Sequence, residues 1–166
     1  REYPILNSEL DEEAEEIRLK GAYNIGIATA TDAGLMVPVV EAVDEKGLIE
    51  IAREVSDLVE RARDRSIERA EMQGGTFTVT NFGAVGGEYA TPIINPPETA
   101  ILGLGELAQR PVVEGGSLSD PGDVVARPVL PLSLSIDHRV IDGAEAAAFV
   151  ETLKSYLREP RTLLLG

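Results

Sequence analysis

The chain has no cysteine and no tryptophan, and it has one histidine among its 166 residues. The absence of cysteine excludes a disulfide scaffold, a thiolate nucleophile and sulfur ligands for a metal, and it fits a reducing, cytoplasmic compartment. With one histidine, we also expect no histidine-built metal site. No apolar run reaches the roughly 18 residues that a membrane span needs, and no secretory signal is visible, so we expect no membrane association.

Basic residues are scarce as well. The 15 Lys and Arg stand against 29 Asp and Glu, which gives a net charge of −14. So acidic a surface argues against binding to nucleic acid or to anionic membranes. Solubility and adaptation to high salt both explain the acidic charge, and the composition does not decide between them.

Hydrophobic residues make up 43% of the chain, which predicts one globular domain over residues 1–166. Because the chain begins at Arg1 and not at a methionine, we expect it to be a piece of a longer polypeptide.

The periodicity of apolar residues predicts an irregular alternation of strands and helices. Strands are predicted at residues 23–29, 35–43, 76–80, 100–105 and 124–136, and helices at 47–62 and 142–158. Pro38 predicts an edge or bulged strand, and prolines 128 and 131 interrupt the last one. The acidic run 9–16 predicts a solvated turn or edge, and 115–122 a turn. This order predicts an α/β (α+β) fold with a mixed sheet flanked by helices.

The only histidine lies in the segment Asp-His-Arg-Val-Ile-Asp-Gly at residues 137–143. Histidine is the residue type best suited to accept and release a proton near pH 7, so His138 is the first candidate for a general base. A strand end followed by a helix start brings the carboxylate of Asp142 close to it. Two structural alternatives stay open: a hydrogen-bonded histidine at a strand end, and Asp142 as a helix cap with Glu145 completing a capping box.

Residues 135–144 resemble the active-site signature of the dihydrolipoamide acyltransferases, the E2 cores of 2-oxo acid dehydrogenase complexes. Further segments of that family's catalytic domain follow in order at residues 24–28, 74–81, 91–97, 100–103 and 156–160. The resemblance covers the chain from about Tyr3 to its end and implies a chloramphenicol acetyltransferase-like fold. Asp137, where the drug-modifying relatives carry a second histidine, favours the E2 branch. From the resemblance we expect that this chain lacks the opening part of the family's catalytic domain, its lipoyl domain and its subunit-binding domain.

The resemblance implies roles for individual residues. His138 matches the general base that takes the thiol proton of coenzyme A, whose thiolate attacks the thioester of S-acyl-dihydrolipoamide. Thr80 matches the hydroxyl that stabilises the oxyanion, although without the resemblance it is a β-favouring residue at a strand end. Asp142 matches the partner of the histidine, with Arg139 and Asn81 in support. Arg139 is the nearest candidate to pair with Asp142, and a partner elsewhere is equally open.

The resemblance also implies an assembly. Homotrimers with the site between subunits build a cubic or dodecahedral core, and E1 and E3 components attach through other domains. Coenzyme A is a substrate, the lipoyl group is carried on a separate domain, and no metal takes part. The loop at residues 86–90 is closer to branched-chain and some pyruvate versions than to succinyl-transferring ones. The alternative function is a structural core or scaffold with an incomplete or idle site.

Two segments leave a choice between a functional and a structural interpretation. The arginines at 61, 63, 65 and 69 form either a clamp for coenzyme A phosphates or a salt-bridged helix face, and the interleaved acidic residues favour the latter. The leucines at 163–165 form either an apolar knob buried against a neighbouring subunit or a contact within their own domain.

Overall fold

The computed structural model describes residues 1–117 and 119–164, and this part of the chain forms ten strands and two α-helices. The strands are β1 (Ser8–Asp11), β2 (Glu16–Leu19), β3 (Ile25–Thr31), β4 (Gly34–Met36), β5 (Val39–Val40), β6 (Phe77–Asn81), β7 (Ala100–Leu104), β8 (Ala108–Glu114), β9 (Asp123–Val129) and β10 (Leu132–Ile136). The helices are α1 (Leu48–Arg63) and α2 (Gly143–Arg158).

The centre of the molecule is a mixed sheet with the strand order β10-β7-β6-β3-β4, in which β5 also pairs with β3. Strands β3, β6 and β7 are parallel, whereas β10, β4 and β5 run antiparallel to their neighbours. Helix α2 covers one face through Phe149 and Leu153, which pack against a cluster that includes Phe77, Leu102 and the fully buried Ile141. Helix α1 contacts β3 and β5. A mixed sheet flanked by helices was predicted, and this prediction is confirmed.

Local sequence explains the elements that position the site. Strand β7 reads Ala-Ile-Leu-Gly-Leu and its first four residues are buried, as expected for a strand covered on both faces. It lies between β6 and β10, so it joins the strand that ends near Thr80 to the strand that leads into His138. Helix α1 buries Leu58 and Ala62 on the apolar stripe that its spacing predicts.

Two predicted strands are divided in the structure. The segment 35–43 forms β4 and β5 because Pro38 has no N–H to give to a ladder, although its carbonyl accepts from the Ile27 N–H at 2.8 Å. The segment 124–136 forms β9 and β10, which belong to different sheets. Strand β9 pairs with β8, a strand that the periodicity did not predict.

The two remaining hairpins lie outside the central sheet. The acidic run forms the tip of the hairpin β1–β2, so the expected turn is present, but strands extend from it on both sides. The turn predicted at 115–122 connects β8 and β9, and its Leu118 lies outside the described residues.

At the end of the chain, Leu163 of the predicted apolar knob is 48% exposed. Leu165 of the same knob lies outside the described residues. No helix in the described part of the chain is both long and apolar enough to cross a membrane.

Candidate active site

The turn that carries His138 is anchored on both sides. The Asp137 N–H donates to the Thr99 carbonyl at 2.8 Å, which extends the pairing of β10 with the chain before β7. The N–H groups of Val140 and Ile141 then both donate to the Asp137 carbonyl at 3.0 Å. Ile141 is fully buried, whereas His138 is exposed. The backbone is therefore fixed while the imidazole stays accessible to a substrate.

Asp142 caps helix α2. Its Oδ1 accepts from the Glu145 N–H at 2.8 Å, so the predicted N-cap is confirmed. The reciprocal bond from the Glu145 side chain, which would complete a capping box, is not among the hydrogen bonds of the described residues. The cap fixes the start of the helix four residues after His138, so it limits how far the histidine turn can move.

Arg139 does not pair with Asp142, contrary to one expectation. Its guanidinium instead binds Asp137, with Nη2 at 2.7 Å from Oδ2, and Glu12, with Nη1 at 2.7 Å from Oε1. The physical reason is that Asp137 stands beside Arg139 in the turn, while Asp142 binds the helix N-terminus. The guanidinium lowers the pKa of the Asp137 carboxyl below its ordinary value. Because Glu12 lies at the tip of the hairpin β1–β2, Arg139 ties that hairpin to the histidine turn.

Thr80 lies near the C-terminal end of β6, between Ala28 of β3 and Gly103 of β7. It is partly buried and, with Thr78, borders a hollow of about 470 Å³. The hollow is lined by uncharged residues: Ala28, Leu35, Val37, Thr78, Thr80, Phe82, Ala90, Pro92, Ile93, Ile94, Asn95, Pro96 and Ile101. Asn81 is exposed, and its Oδ1 accepts from the Ala84 N–H at 3.2 Å, which starts the short 3₁₀ turn Gly83–Val85.

The strand register separates Thr80 from His138 within one chain. Thr80 is level with Gly103, whereas His138 follows Ile136, which is level with Ala100 at the other end of β7. Three residues of strand correspond to about 10 Å along the sheet, and the two strand spacings from β6 to β10 add about 10 Å across it. A single copy of the chain therefore holds these two candidate residues at opposite ends of its sheet.

Sequence reasoning missed Glu98, a carboxylate buried inside the fold. The residue is 7% exposed, and its Oε1 accepts from the Thr78 hydroxyl at 2.9 Å and from Asn95 Nδ2 at 3.3 Å. Its Oε2 is buried and has no hydrogen-bond partner among the described residues. Burial raises the pKa of this carboxyl, although the two hydrogen bonds oppose the rise. The available signal was a carboxylate placed after two prolines and two residues before a buried apolar strand.

The arginines of α1 and the segment after it separate into two groups. Arg61 donates to Asp57 at 2.8 Å and forms a two-bond pair with Glu71 at 2.6 and 2.9 Å, which favours the salt-bridged helix face for this residue. The arginines at 63, 65 and 69 are exposed, and for them a phosphate clamp stays a hypothesis. In the described part of the chain, no three His, Cys, Asp or Glu side chains come together as metal ligands.

Comparison with known structures first identifies the class of fold. Chloramphenicol acetyltransferase has a TM-score of 0.55 and 17% identity, with 94% of this chain and 71% of that chain covered, so the likeness shows the fold alone. Dihydrolipoamide acetyltransferase of Azotobacter vinelandii has a TM-score of 0.89 and 42% identity, with 98% of this chain and 65% of that chain covered. The structure of the cubic core of a pyruvate dehydrogenase multienzyme complex also has a TM-score of 0.89, at 41% identity, with 98% and 65% covered.

The family model for the 2-oxoacid dehydrogenases acyltransferase catalytic domain matches residues 1–165, and the chain belongs to this family. The family resemblance and the fold predicted from the sequence are therefore both confirmed. A relative from Staphylococcus epidermidis is the dihydrolipoyllysine-residue acetyltransferase component of a pyruvate dehydrogenase complex, and it is 47% identical over 165 residues. The match covers 99% of this chain and 37% of the relative, so the chain spans little more than a third of that protein's length.

Proposed function

We propose that this domain transfers an acyl group between S-acyl-dihydrolipoamide and coenzyme A. The observation that carries the proposal is the accessible His138 on an anchored turn, four residues before the helix cap Asp142. In the Azotobacter vinelandii acetyltransferase, a serine, a histidine and an asparagine four residues after that histidine were investigated for their catalytic roles. The present chain has the same spacing with Asp142 in place of the asparagine.

In the proposed reaction, His138 accepts the thiol proton of coenzyme A and the resulting thiolate attacks the thioester carbonyl carbon. Negative charge then develops on the carbonyl oxygen, where the Thr80 hydroxyl donates a hydrogen bond. When the intermediate collapses, the dihydrolipoamide thiolate leaves and takes the proton back from the imidazolium. The acyl group thus passes directly between two thiols, and no bond to the protein forms.

We propose further that the site is shared between neighbouring subunits of a homotrimer. The distance between Thr80 and His138 across one sheet supports this, because a second copy can bring the missing group to each end. A cubic or dodecahedral core built from such trimers is supported by the likeness to a cubic pyruvate dehydrogenase core. In this proposal the lipoyl group and the E1 and E3 contacts belong to other domains, and the complex is cytoplasmic.

For the acyl group, we propose an uncharged one, with acetyl favoured. The curated relative is an acetyltransferase component, and the hollow beside Thr80 has no charged residue among its lining. A succinyl carboxylate entering such a hollow would lose hydration without gaining a cationic partner from its lining. Branched-chain acyl groups fit the apolar lining as well, so donor assays must include them.

The test is an assay of acyl-coenzyme A formation with acetyl-, isobutyryl- and succinyl-dihydrolipoamide as donors. His138→Ala should lower kcat by about 10²–10⁴-fold, because it removes the general base. Thr80→Ala should lower it by about 10²–10³-fold, because it removes one oxyanion donor. Thr29→Ala, which changes a threonine of β3 whose hydroxyl donates to the Ile27 carbonyl, is the control.

A His138→Ala protein with the activity of the unmodified chain would contradict the proposal. The scaffold alternative predicts a different pattern: sedimentation as a large core, with no acyl transfer from any of the three donors. The two functions are therefore separated by measuring transfer and assembly on the same preparation.

A further inference from the structure

We propose that Glu98 is a positioning residue that holds the oxyanion strand β6 in register with the histidine turn. This inference rests on the function proposed for Thr80 and His138. The Glu98 carboxylate accepts from the Thr78 hydroxyl, two residues before Thr80 on the same face of β6. Its immediate neighbour Thr99 accepts the Asp137 N–H at 2.8 Å, one residue before His138. One pair of adjacent residues thus contacts both halves of the site.

The segment around these two residues is immobilised by further buried contacts. The Glu98 N–H donates to the Asn95 carbonyl at 3.0 Å, and the Asn95 side-chain amide donates to Glu98 Oε1. These two hydrogen bonds close the loop before β7 on itself. Thr99 is 1% exposed, and its hydroxyl lies 3.1 Å from the Ser8 hydroxyl. Asn95 also borders the hollow beside Thr80. A change at Glu98 therefore reaches the wall of that hollow as well as β6.

The surroundings of Glu98 are adapted to its carboxylate. A Cβ atom at position 75 would lie 2.9 Å from Glu98 Oε1, so the glycine there leaves room for the carboxylate. An aliphatic side chain would fill the same space without an unpartnered oxygen, yet the chain keeps a buried carboxylate whose Oε2 has no partner among the described residues. Such a group costs stability. A role in holding Thr78 and Asn95 accounts for its presence where packing does not.

The test compares Glu98→Ala, Glu98→Gln and Thr78→Val in the assembled protein. Glu98→Ala and Thr78→Val should each lower kcat about tenfold with KM unchanged. Removing an oxyanion donor lowers kcat by about 10²–10³-fold, and displacing it should lower kcat by less. The double variant should be no slower than either single variant, since both remove one interaction. Glu98→Gln keeps the accepting oxygen and should retain kcat. Thr29→Val removes a buried hydroxyl from the neighbouring strand and serves as the control.

A second readout does not depend on activity. Amide hydrogen exchange at Asp137 and along β6 should be faster in Glu98→Ala and Thr78→Val than in Thr29→Val, with α2 unchanged. If the unmodified protein transfers no acyl group, the proposed function is wrong, and this exchange pattern alone decides the role of Glu98. If the protein is active, values of kcat for Glu98→Ala and Thr78→Val equal to that of Thr29→Val would overturn the inference. If it is inactive, hydrogen exchange in these variants equal to that in Thr29→Val would overturn it.

Discussion

In the proposed mechanism, Asp142 serves structure and chemistry together. Its carboxylate closes the N-terminus of α2, and the same contact fixes the end of the turn that exposes His138. Capping and catalysis are therefore not competing interpretations. The contact needs only an accepting oxygen, and an asparagine supplies one as well as an aspartate does.

The first prediction concerns that oxygen. Asp142→Asn should retain the stability and kcat of the unmodified protein, because the cap is preserved. Asp142→Ala should lose about 1 kcal/mol of unfolding free energy. It should also lower kcat, since the histidine turn is less firmly held. Urea unfolding and the acyl-transfer assay measure the two effects, with the exposed Asp64→Ala as the control. An alanine variant as stable and as active as the asparagine variant would show that the cap is unimportant.

The second prediction concerns the pH dependence caused by Glu98. Burial raises the pKa of Glu98 in the folded protein above the ordinary 4.5. Protonation of this carboxyl therefore makes its full contribution to the unfolding free energy at low pH. That contribution declines as the pH rises past 4.5 and through the folded-state pKa. The unfolding free energy of the unmodified protein minus that of Glu98→Gln should therefore fall between pH 4.5 and pH 8.

The charged residues around Glu98 do not obscure this difference. Glu9 and Lys20 line a second hollow of about 450 Å³ that Glu98 also borders. They pair with each other at 2.5 Å, and both are present in the two proteins compared. Their own titration therefore cancels to first order. Urea unfolding at both pH values gives the difference, and a difference that stays constant or grows with pH would contradict the raised pKa.

At the scale of the elements, the ends of β6 and β7 lie close together just beyond Asn81, where the backbone of Gly83 approaches that of Gly105. A Cβ atom on Gly83 would lie 2.2 Å from the carbonyl of Gly105, so no side chain fits between the two strand ends. The end of β6 thus depends on a glycine, and the position of Thr80 depends on the end of β6.

The third prediction follows from this approach. Gly83→Ala should force the two strand ends apart, with a loss of about 1–3 kcal/mol of unfolding free energy, as for other overpacked sites. It should also lower kcat, because Thr80 moves with its strand. Gly21→Ala, where an added Cβ meets nothing within 4 Å, is the matched control. Equal unfolding curves and rates for the two variants would contradict the close approach.

The elements differ in how much their sequence could reveal. Helix α1 and strand β7 were predicted well because their apolar spacing is local and uninterrupted. Strand β8 was missed because it forms a two-stranded hairpin with alternate residues exposed and carries Pro111 in its middle. The tether from Arg139 to Glu12 spans 127 positions of sequence, and no local pattern indicates which acidic residue an arginine will reach.

For the candidate site, the motif identified the residues but not their surroundings. The histidine turn and the capping role of Asp142 follow from a strand end next to a helix start. The partners of Arg139 and the buried position of Glu98 arise only when distant segments meet, so the sequence alone could not supply them. The separation of Thr80 from His138 likewise depends on the strand order β10-β7-β6, which requires the folded sheet.

At the scale of the whole molecule, the central claim is that two copies of the chain complete each site. The sheet holds the candidate base and the candidate oxyanion donor at opposite ends, so an isolated copy should be inactive. A closed ring of head-to-tail contacts would give every subunit one neighbour at each end, which a homotrimer provides.

The most direct measurement is acyl transfer by an equal mixture of His138→Ala and Thr80→Ala chains after subunit exchange, with exchange verified by mass spectrometry. Random trimers place an intact Thr80 beside an intact His138 at about one interface in four, so the mixture should recover about a quarter of the unmodified activity. Each variant alone should stay nearly inactive. A mixture no more active than the separate variants, despite verified exchange, would contradict the shared site.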